Sequence, residues 1–132
     1  MSETTTKEVK KETGVRSITA FERSKLIPLL PTKEHYDTLL RLKTIREELE
    51  WTEDEWKTMF KQAGEKYKDA RGYELEVPEG QVVFEFGLIA DKEIDFGEVV
   101  FDLLAKILKG LEEKGDLENE LISLYEKFVV NK

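Results

Sequence analysis

Cysteine is absent from this chain of 132 residues, and histidine occurs once, as His35. Without cysteine there is no disulfide, thiolate zinc site, iron–sulfur ligation or cysteine nucleophile. A single histidine also leaves a transition metal without enough of its usual nitrogen ligands. The sequence therefore predicts no cofactor, and we interpret His35 as a surface or capping residue near a helix start.

Long apolar runs are missing as well. No stretch approaches the roughly eighteen apolar residues of a membrane span, and no apolar run near the first residue has the character of a signal peptide. We therefore expect a soluble protein of the cytoplasm that does not contact membranes.

The sequence also lacks the motifs of common catalytic sites. It contains neither a G-x-x-x-x-G-K-[ST] loop nor a G-x-G-x-x-G turn, and its serines lie in no nucleophile elbow. The alternating acids of Asp91–Asp95 could begin a calcium loop. However, Phe96 stands where that loop needs glycine, and Asp102 stands where it needs glutamate. We expect a protein that is not an enzyme and holds no metal.

Charge is what the sequence has in abundance. Asp and Glu number 29 against 21 Lys and Arg, for a formal net charge of −8. This balance opposes direct nucleic-acid binding, which needs clustered basic residues to displace counterions. It permits a basic protein partner, and it also serves solubility.

The apolar residues predict how the chain is organised. Residues 1–14 are rich in Thr, Glu and Lys and cannot bury enough surface to offset ordering entropy, so we predict a disordered tail. Residues 15–132 hold nearly all of the apolar side chains and are sized for a single globular domain.

Apolar spacing within that domain predicts about five helices. The first is capped by Thr19 and ends near Ile27, because Pro28 follows; the second is capped by Thr32 and runs to about Leu49. The third runs from Thr52 towards Gly64. The fourth helix is predicted to start at Asp95, with Glu98 three residues later, and to stop at Gly115 as its C-cap. Asp116 is predicted to be the N-cap of the fifth helix. The last two helices should form an αα-hairpin.

The third helix begins in the stretch Trp51-Thr52-Glu53-Asp54-Glu55-Trp56, which also holds both tryptophans. Thr52 followed by Glu55 matches a capping box, in which hydroxyl and carboxylate each accept a free backbone N–H. Trp51 and Trp56 then occupy the two positions of a hydrophobic staple. We interpret the stretch as a helix start rather than a displayed recognition peptide.

Between the third and fourth helices the apolar period changes from helical to alternating. Tyr73, Leu75 and Val77 form one such run, and residues 82–86 form another after Pro78-Glu79-Gly80. These runs predict a β-hairpin with one apolar and one acidic face, packed on the helices. A third strand is possible at residues 92–95. The fold class is thus α+β and mainly helical.

The order of these segments resembles short hypothetical proteins of bacteriophages and prophages. The resemblance covers about residues 26–128 and rests on LLP, the TLLRLKTIREEL helix, the WTEDE helix start, KEIDFGE and LYEKF. It implies a phage origin and action in a host cytoplasm, but it carries over no activity and no functional residues.

Binding is therefore the predicted function, and two surfaces could serve it. The first is the acidic side of the hairpin with the neighbouring tyrosine, which Glu112, Glu113, Glu118 and Glu120 could extend. Its candidate partner-binding residues are Tyr73, Glu74, Glu76, Glu79 and Glu85. The second is any aromatic residue left exposed, with Trp51, Trp56 and Tyr73 foremost.

Three functions remain open on this basis. The chain could be a small acidic interaction module of phage type that binds a host or phage protein. It could be a nucleic-acid mimic that inhibits a host nucleic-acid enzyme, or a structural or virion-accessory protein. Both a monomer and a homodimer are compatible with the sequence.

Overall fold

The computed structural model describes residues 14–131 and shows a mainly helical α+β fold in this range. The helices are α1 (Ala20–Leu29), α2 (Tyr36–Leu49), α3 (Glu53–Met59), α4 (Gly97–Glu113) and α5 (Ile122–Tyr125). The strands are β1 (Val15–Ile18), β2 (Phe60–Gln62), β3 (Lys66–Lys68), β4 (Glu74–Glu76), β5 (Val82–Phe84) and β6 (Lys92–Asp95). Three short irregular helical turns complete the description: Phe86–Leu88, Asn119–Leu121 and the π-turn Glu126–Val130.

The main core lies between α4, the inner faces of α1 and α2, and the C-terminal segment. Its largest contributions come from the apolar face of α4, which buries Val100, Phe101, Leu104 and Leu108. Burying each such side chain is worth about 1.5–3 kcal/mol. Leu121, Leu124 and Phe128 close the core from the other side, as the predicted C-terminal stripe requires.

Helix α4 ends at the glycine that the sequence predicts. Gly115 has a φ of 74°, its N–H donates to the Glu112 carbonyl over 3.0 Å, and the Asp116 N–H donates to the Leu111 carbonyl over 2.8 Å. These two bonds form a Schellman motif. The prediction that Asp116 caps the next helix is wrong, because its backbone belongs to this motif and the next helical turn begins at Asn119.

The predicted start of α4 is also displaced. Asp95 is the last residue of β6, and the N–H of Phe96 continues the strand by donating to the Gly14 carbonyl over 2.8 Å. The helix therefore begins at Gly97, with Phe96 at the N-cap position and no side-chain cap. Asp95 still accepts the Gly97 N–H, at 3.0 Å, whereas Glu98 lies in the first turn without forming a capping box.

Two further boundaries differ from prediction. Helix α1 is capped by Thr19, as expected, but it continues through Pro28 to Leu29. Pro28 lies in the last turn of α1, where its missing N–H removes the one hydrogen bond that the Ser24 carbonyl would otherwise accept within the helix. Thr32 does not cap α2, which starts at Tyr36 with His35 at the N-cap position and no side-chain cap bond.

Strands β1 and β6 form an antiparallel pair, with Val15 opposite Asp95 and Ile18 opposite Lys92. The strand suggested at residues 92–95 therefore exists, but its partner lies near the start of the described chain. Gly14, assigned to the predicted tail, is buried against this pair. The rest of that prediction, residues 1–13, lies outside the described residues.

The chain forms a β-hairpin, but the predicted pairing of residues 73–77 with 82–86 is wrong. Strand β4 pairs with β3, and β5 pairs with β2, so residues 60–84 form one interrupted hairpin that we call the arm. Helix α3 stops at Met59 instead of continuing towards Gly64. The residues after it therefore form the additional strands β2 and β3. The arm reverses at residues 69–73, where Gly72 adopts a φ of 88°.

Two facing turns interrupt the arm midway. One includes Gly64 and is closed by a bond from Glu65 N–H to the Gln62 carbonyl; the other includes Gly80 and is closed by Gln81 N–H on the Pro78 carbonyl. Pro78-Glu79-Gly80, predicted as the hairpin loop, is therefore a bend within one side of the arm.

The tip of the arm contacts the chain that follows it. A Cβ built on Gly87 would stand only 3.0 Å from the Ala70 Cβ. Met59 and Val77 are buried, yet they lie outside the main core cluster. No helix within residues 14–131 is both long and apolar enough to cross a membrane.

Candidate functional site

Six aromatic rings from separate parts of the chain form a continuous cluster, which we call the aromatic face. Its members are Phe21 on α1, Trp51 and Trp56 at the start of α3, Phe60 on β2, Phe84 on β5, and Phe86 just beyond the arm. The helices α1 and α3 and the base of the arm therefore meet at this cluster.

Phe84 occupies the middle of the aromatic face. Its ring centroid lies 5.3 Å from that of Phe60, 5.7 Å from Trp56 and 6.3 Å from Phe86. Phe86 in turn contacts Phe21 at 6.0 Å and Trp51 at 5.9 Å. These separations fall within the range in which aromatic pairs attract each other beyond simple area burial.

Much of this cluster is open to solvent. Trp56 and Phe84 are each 43% exposed, and Phe21 is 38% exposed. Val82, two residues before Phe84 and therefore on the same side of β5, is 54% exposed. A contiguous exposed apolar surface of this kind is typical of an interaction site.

Arg23 contacts the aromatic face on its buried side, at the Trp51 ring. Its side chain is fully buried, and its guanidinium carbon lies 4.3 Å from the Trp51 ring centroid. Nε donates to the Leu49 carbonyl over 3.2 Å, and Nη2 donates to the Glu50 carbonyl over 2.7 Å. Because these carbonyls end α2, Arg23 fixes the junction that positions both tryptophans.

Glu55 completes this network. Its carboxylate accepts Arg23 Nη1 at 2.7 Å on Oε2 and Nη2 at 3.1 Å on Oε1. Hydrogen bonding from Arg23 lowers the pKa of Glu55 to about 2. The sequence did not reveal this role of Arg23. The one available signal was its position three residues before Leu26, on the buried side of α1.

The predicted capping box is present at the start of α3. Glu55 N–H donates to Thr52 Oγ1 over 3.1 Å, and Thr52 N–H donates to Glu55 Oε1 over 3.0 Å. The two tryptophans, expected to form a hydrophobic staple with each other, instead make their ring contacts with phenylalanines. Trp51 stacks on Phe86, and Trp56 stacks on Phe60 at 5.0 Å.

The predicted acidic candidates do not form one acidic face. Glu74 and Glu76 are exposed, but the register places Lys68 opposite Glu74 and Lys66 opposite Glu76. Positive and negative side chains therefore stand opposite each other across this outer half of the arm. Glu79 is exposed in the midway turn.

Of the remaining candidates, Tyr73 directly precedes Glu74, whereas Glu85 lies beyond the second strand of the arm's base. Glu85 is half-buried between Phe84 and Phe86 in sequence, and its Oε1 lies 3.5 Å from the position that a Cβ on Gly87 would occupy. Tyr73 lies at the arm's turn, 61% exposed, with the Arg71 guanidinium 4.8 Å from its ring centroid. Of the possible additional acids, Glu120 forms an ion pair with Lys25.

A network at the turn of the arm was not foreseen. Asp69 is buried and accepts the backbone N–H groups of Arg71 and Tyr73 over 2.9 and 3.0 Å. Its other oxygen accepts Nη2 of Arg71 over 2.9 Å. The hydrogen bond from Arg71 is the main cause that lowers the pKa of Asp69. This aspartate keeps the turn in one conformation.

No cluster of three or more His, Asp or Glu side chains suited to a metal occurs within residues 14–131. A cavity of about 300 Å³ opens between α2 and α4, lined by Glu34, Thr38, Val99, Asp102, Leu103 and Lys106. The elements that line it are not those that carry the aromatic face.

Comparison with known proteins found no matching family model, no matching curated protein and no matching solved structure. The resemblance to bacteriophage proteins therefore stays a prediction from sequence.

Proposed function

We propose that this chain is a small acidic protein-interaction module, not an enzyme, and that it binds a protein partner through the aromatic face. The observation that carries the proposal is the exposure of Trp56 and Phe84, at 43% each, within a cluster of six contacting rings. Aromatic anchors of this type supply most of the energy of many protein interfaces.

The construction of the face supports the proposal. Trp51 is held by the buried guanidinium of Arg23, and Trp56 is stacked on Phe60. Rings held in this way lose little conformational entropy on binding, so more of the contact energy appears as affinity. The surface is thus preorganised.

The acidic-mimic alternative has less support from the geometry. A mimic of nucleic acid needs an extended surface of one sign, and Lys66 and Lys68 stand directly opposite Glu76 and Glu74. Alternating cross-strand charges stabilise a hairpin locally. We therefore interpret these four residues as supporting the arm.

The sequence resemblance to phage proteins suggests where to look for the partner, namely among bacterial host or phage proteins. Affinity capture from a bacterial lysate, at low and at high salt, would test the proposal. Trp56→Ala and Phe84→Ala should each abolish capture of a specific protein. Tyr36→Ala is the matched control, because Tyr36 is a 74% exposed aromatic residue on α2.

The control should capture the same protein in the same amount as the unmodified chain. Specific capture that survives both aromatic substitutions would contradict the proposal. Unfolding curves of each variant must accompany the experiment, because a variant that has lost its fold would lose binding for a trivial reason.

A further inference from the structure

Strand β5 pairs with another strand on one side only, where it meets β2. The N–H of Glu85 donates to the Met59 carbonyl over 2.8 Å and extends this ladder by one residue. Because hydrogen-bonding residues alternate along an antiparallel pair, Val83 also bonds towards β2, whereas Val82 and Phe84 direct their N–H and C=O groups away from it. In the part of the chain that the structure describes, no hydrogen bond reaches these outward groups. Strand β5 therefore presents an open edge.

The side chains at this edge are apolar and exposed. Val82 and Phe84 project from the same side of β5, the side that carries the aromatic face. An apolar edge with unpaired backbone groups is a template for a further strand, because a second backbone supplies the missing donors and acceptors.

The outward edges of the other described strands are protected. On β1, the outward carbonyls accept Arg16 Nη1 over 2.7 Å and Lys127 Nζ over 2.6 Å. On β2, the outward N–H groups donate to the Trp56 carbonyl and to the Glu65 carboxylate. The other three strands carry charged residues at their outward positions, which oppose strand addition. These residues are Lys66 and Lys68 on β3, Glu74 and Glu76 on β4, and Glu93 and Asp95 on β6.

We propose that two copies of this chain pair through β5, edge to edge and antiparallel, to form a four-stranded sheet in the order β2-β5-β5-β2. A second copy fits this edge because its own β5 presents the same outward groups in matching order. With Val83 on the two-fold axis, Val82 of each copy lies opposite Phe84 of the other, and each such pair exchanges both of its N–H···O=C bonds. A two-fold axis is the commonest symmetry of protein assemblies.

The side chains suit this register. Each contact between Val82 and Phe84 joins a β-branched side chain to an aromatic ring, which is a favourable cross-strand combination. Gln81 of each copy lies opposite Glu85 of the other, so no two carboxylates face each other within residues 81–85. Both Phe84 rings project from the same side of the sheet. The dimer therefore joins two aromatic faces into one continuous surface.

Cysteine crosslinking tests this register in a chain that has no cysteine of its own. Val83→Cys places two thiols opposite each other at a non-hydrogen-bonded position, where the Cα atoms are about 4.5 Å apart. Mild oxidation should therefore give a disulfide-linked dimer. Val82→Cys is the matched control, because it is more exposed but its counterpart lies diagonally, about 7–8 Å away. Gels without reductant should show several-fold more dimer for Val83→Cys.

Sedimentation equilibrium tests the dimer without a crosslink. Moderate salt screens the repulsion between two chains of net charge −8. The average mass should rise reversibly from that of one chain towards that of two as the concentration increases, because so short an interface is weak. Val82→Pro removes an outward N–H but no bond to β2, so it should weaken dimerisation at least tenfold in a folded chain. Glu76→Pro makes the same change at an outward position of β4 and should leave dimerisation within twofold.

Three results would each overturn the inference. The first is a chain that stays monomeric at every concentration, and the second is a disulfide yield for Val83→Cys no higher than that for Val82→Cys. The third is a dimer that a folded Val82→Pro variant leaves intact. If urea unfolding shows that this variant has lost its fold, the two cysteine variants still decide. None of these measurements uses a partner protein, so their outcome is independent of the proposed function.

Discussion

Arg23 and Glu55 form a two-point ion pair, with guanidinium nitrogens 2.7 and 3.1 Å from the two carboxylate oxygens. The arginine comes from α1, and the glutamate from the first turn of α3. The same carboxylate also closes the capping box with Thr52. This pair therefore connects the base of the aromatic face to the rest of the fold.

We expect Glu55→Gln to destabilise the protein by about 3 kcal/mol, because it leaves the fully buried charge of Arg23 without its partner. Equilibrium urea unfolding measures the change. Glu53→Gln is the control: its pair with Lys57 is exposed and should contribute under about 0.5 kcal/mol. Equal costs for the two substitutions would show that the buried pair has no special role.

The stability of the pair should depend on pH. The pKa of Glu55 is about 2 in the folded chain, compared with an ordinary value of 4.5. The ionised carboxylate therefore contributes its full stabilisation of the fold above pH 4.5, and this stabilisation is lost as the pH falls towards 2. The difference in unfolding free energy between the unmodified chain and Glu55→Gln should therefore shrink over this range.

The pKa of Glu22 is lowered as well, so this residue also stabilises the fold less at acidic pH. Burial raises its pKa, but hydrogen bonds from Lys127, Thr19 and Ser123 outweigh burial and lower it. Glu22 is present in both proteins of the preceding comparison, so its effect cancels in their difference. A difference that stays constant from pH 5 to pH 2.5 would contradict the assignment to Glu55.

Thr52→Ala should cost about 1 kcal/mol of unfolding free energy, because it removes the hydroxyl that accepts the Glu55 N–H. Partner affinity should be nearly unchanged, since Thr52 contributes to the helix start and not to the aromatic face. Unfolding and capture measured on the same variant check both parts. Unaltered stability with lost capture would make the stretch a recognition motif after all.

The pairing of the arm can be tested by crosslinking, which is simple in a chain without cysteine. Lys68 and Glu74 face each other across β3 and β4. Lys68→Cys with Glu74→Cys should form a disulfide on mild oxidation, because facing residues of an antiparallel pair lie within bridging distance.

The control for crosslinking is Leu75→Cys with Phe84→Cys, which the pairing predicted from the alternating pattern would bring together. This pair should stay reduced. A disulfide in the control and none at positions 68 and 74 would support that pairing and contradict the arm described above. Mass spectrometry of the oxidised proteins distinguishes the two results.

Local signals predicted much of the fold, because their physical causes are local. The caps at Thr19 and Thr52 and the stop at Gly115 depend on neighbouring residues alone, and each lies where the sequence placed it. The apolar stripes of α4 and the C-terminal segment were equally clear, since burial follows the helical period.

The pairing of strands within the arm was not predictable from the same signals. Alternation shows which side of a strand is apolar, but it does not say which other strand is adjacent. The three residues of β2 were hidden in the apparent continuation of α3, and β3 is a charged Lys-Tyr-Lys segment. The predicted hairpin therefore joined the two runs that were visible.

The aromatic face was only partly predictable for a similar reason. Trp51 and Trp56 were candidates for an exposed patch, whereas Phe21, Phe60, Phe84 and Phe86 were not among the candidates. Only the tertiary arrangement, with Arg23 beneath Trp51, places these rings together. Long-range contacts of this type leave no periodic signal in one sequence.

The most direct test of the account is the affinity of a captured partner for the Trp56→Ala variant, measured by calorimetry beside Tyr36→Ala. Binding through the aromatic face predicts a loss of at least about 2 kcal/mol, or roughly 30-fold in Kd, for Trp56→Ala. The Tyr36→Ala variant should stay within twofold of the unmodified chain. Unchanged affinity in a folded Trp56→Ala variant, or a larger loss in Tyr36→Ala, would contradict the account.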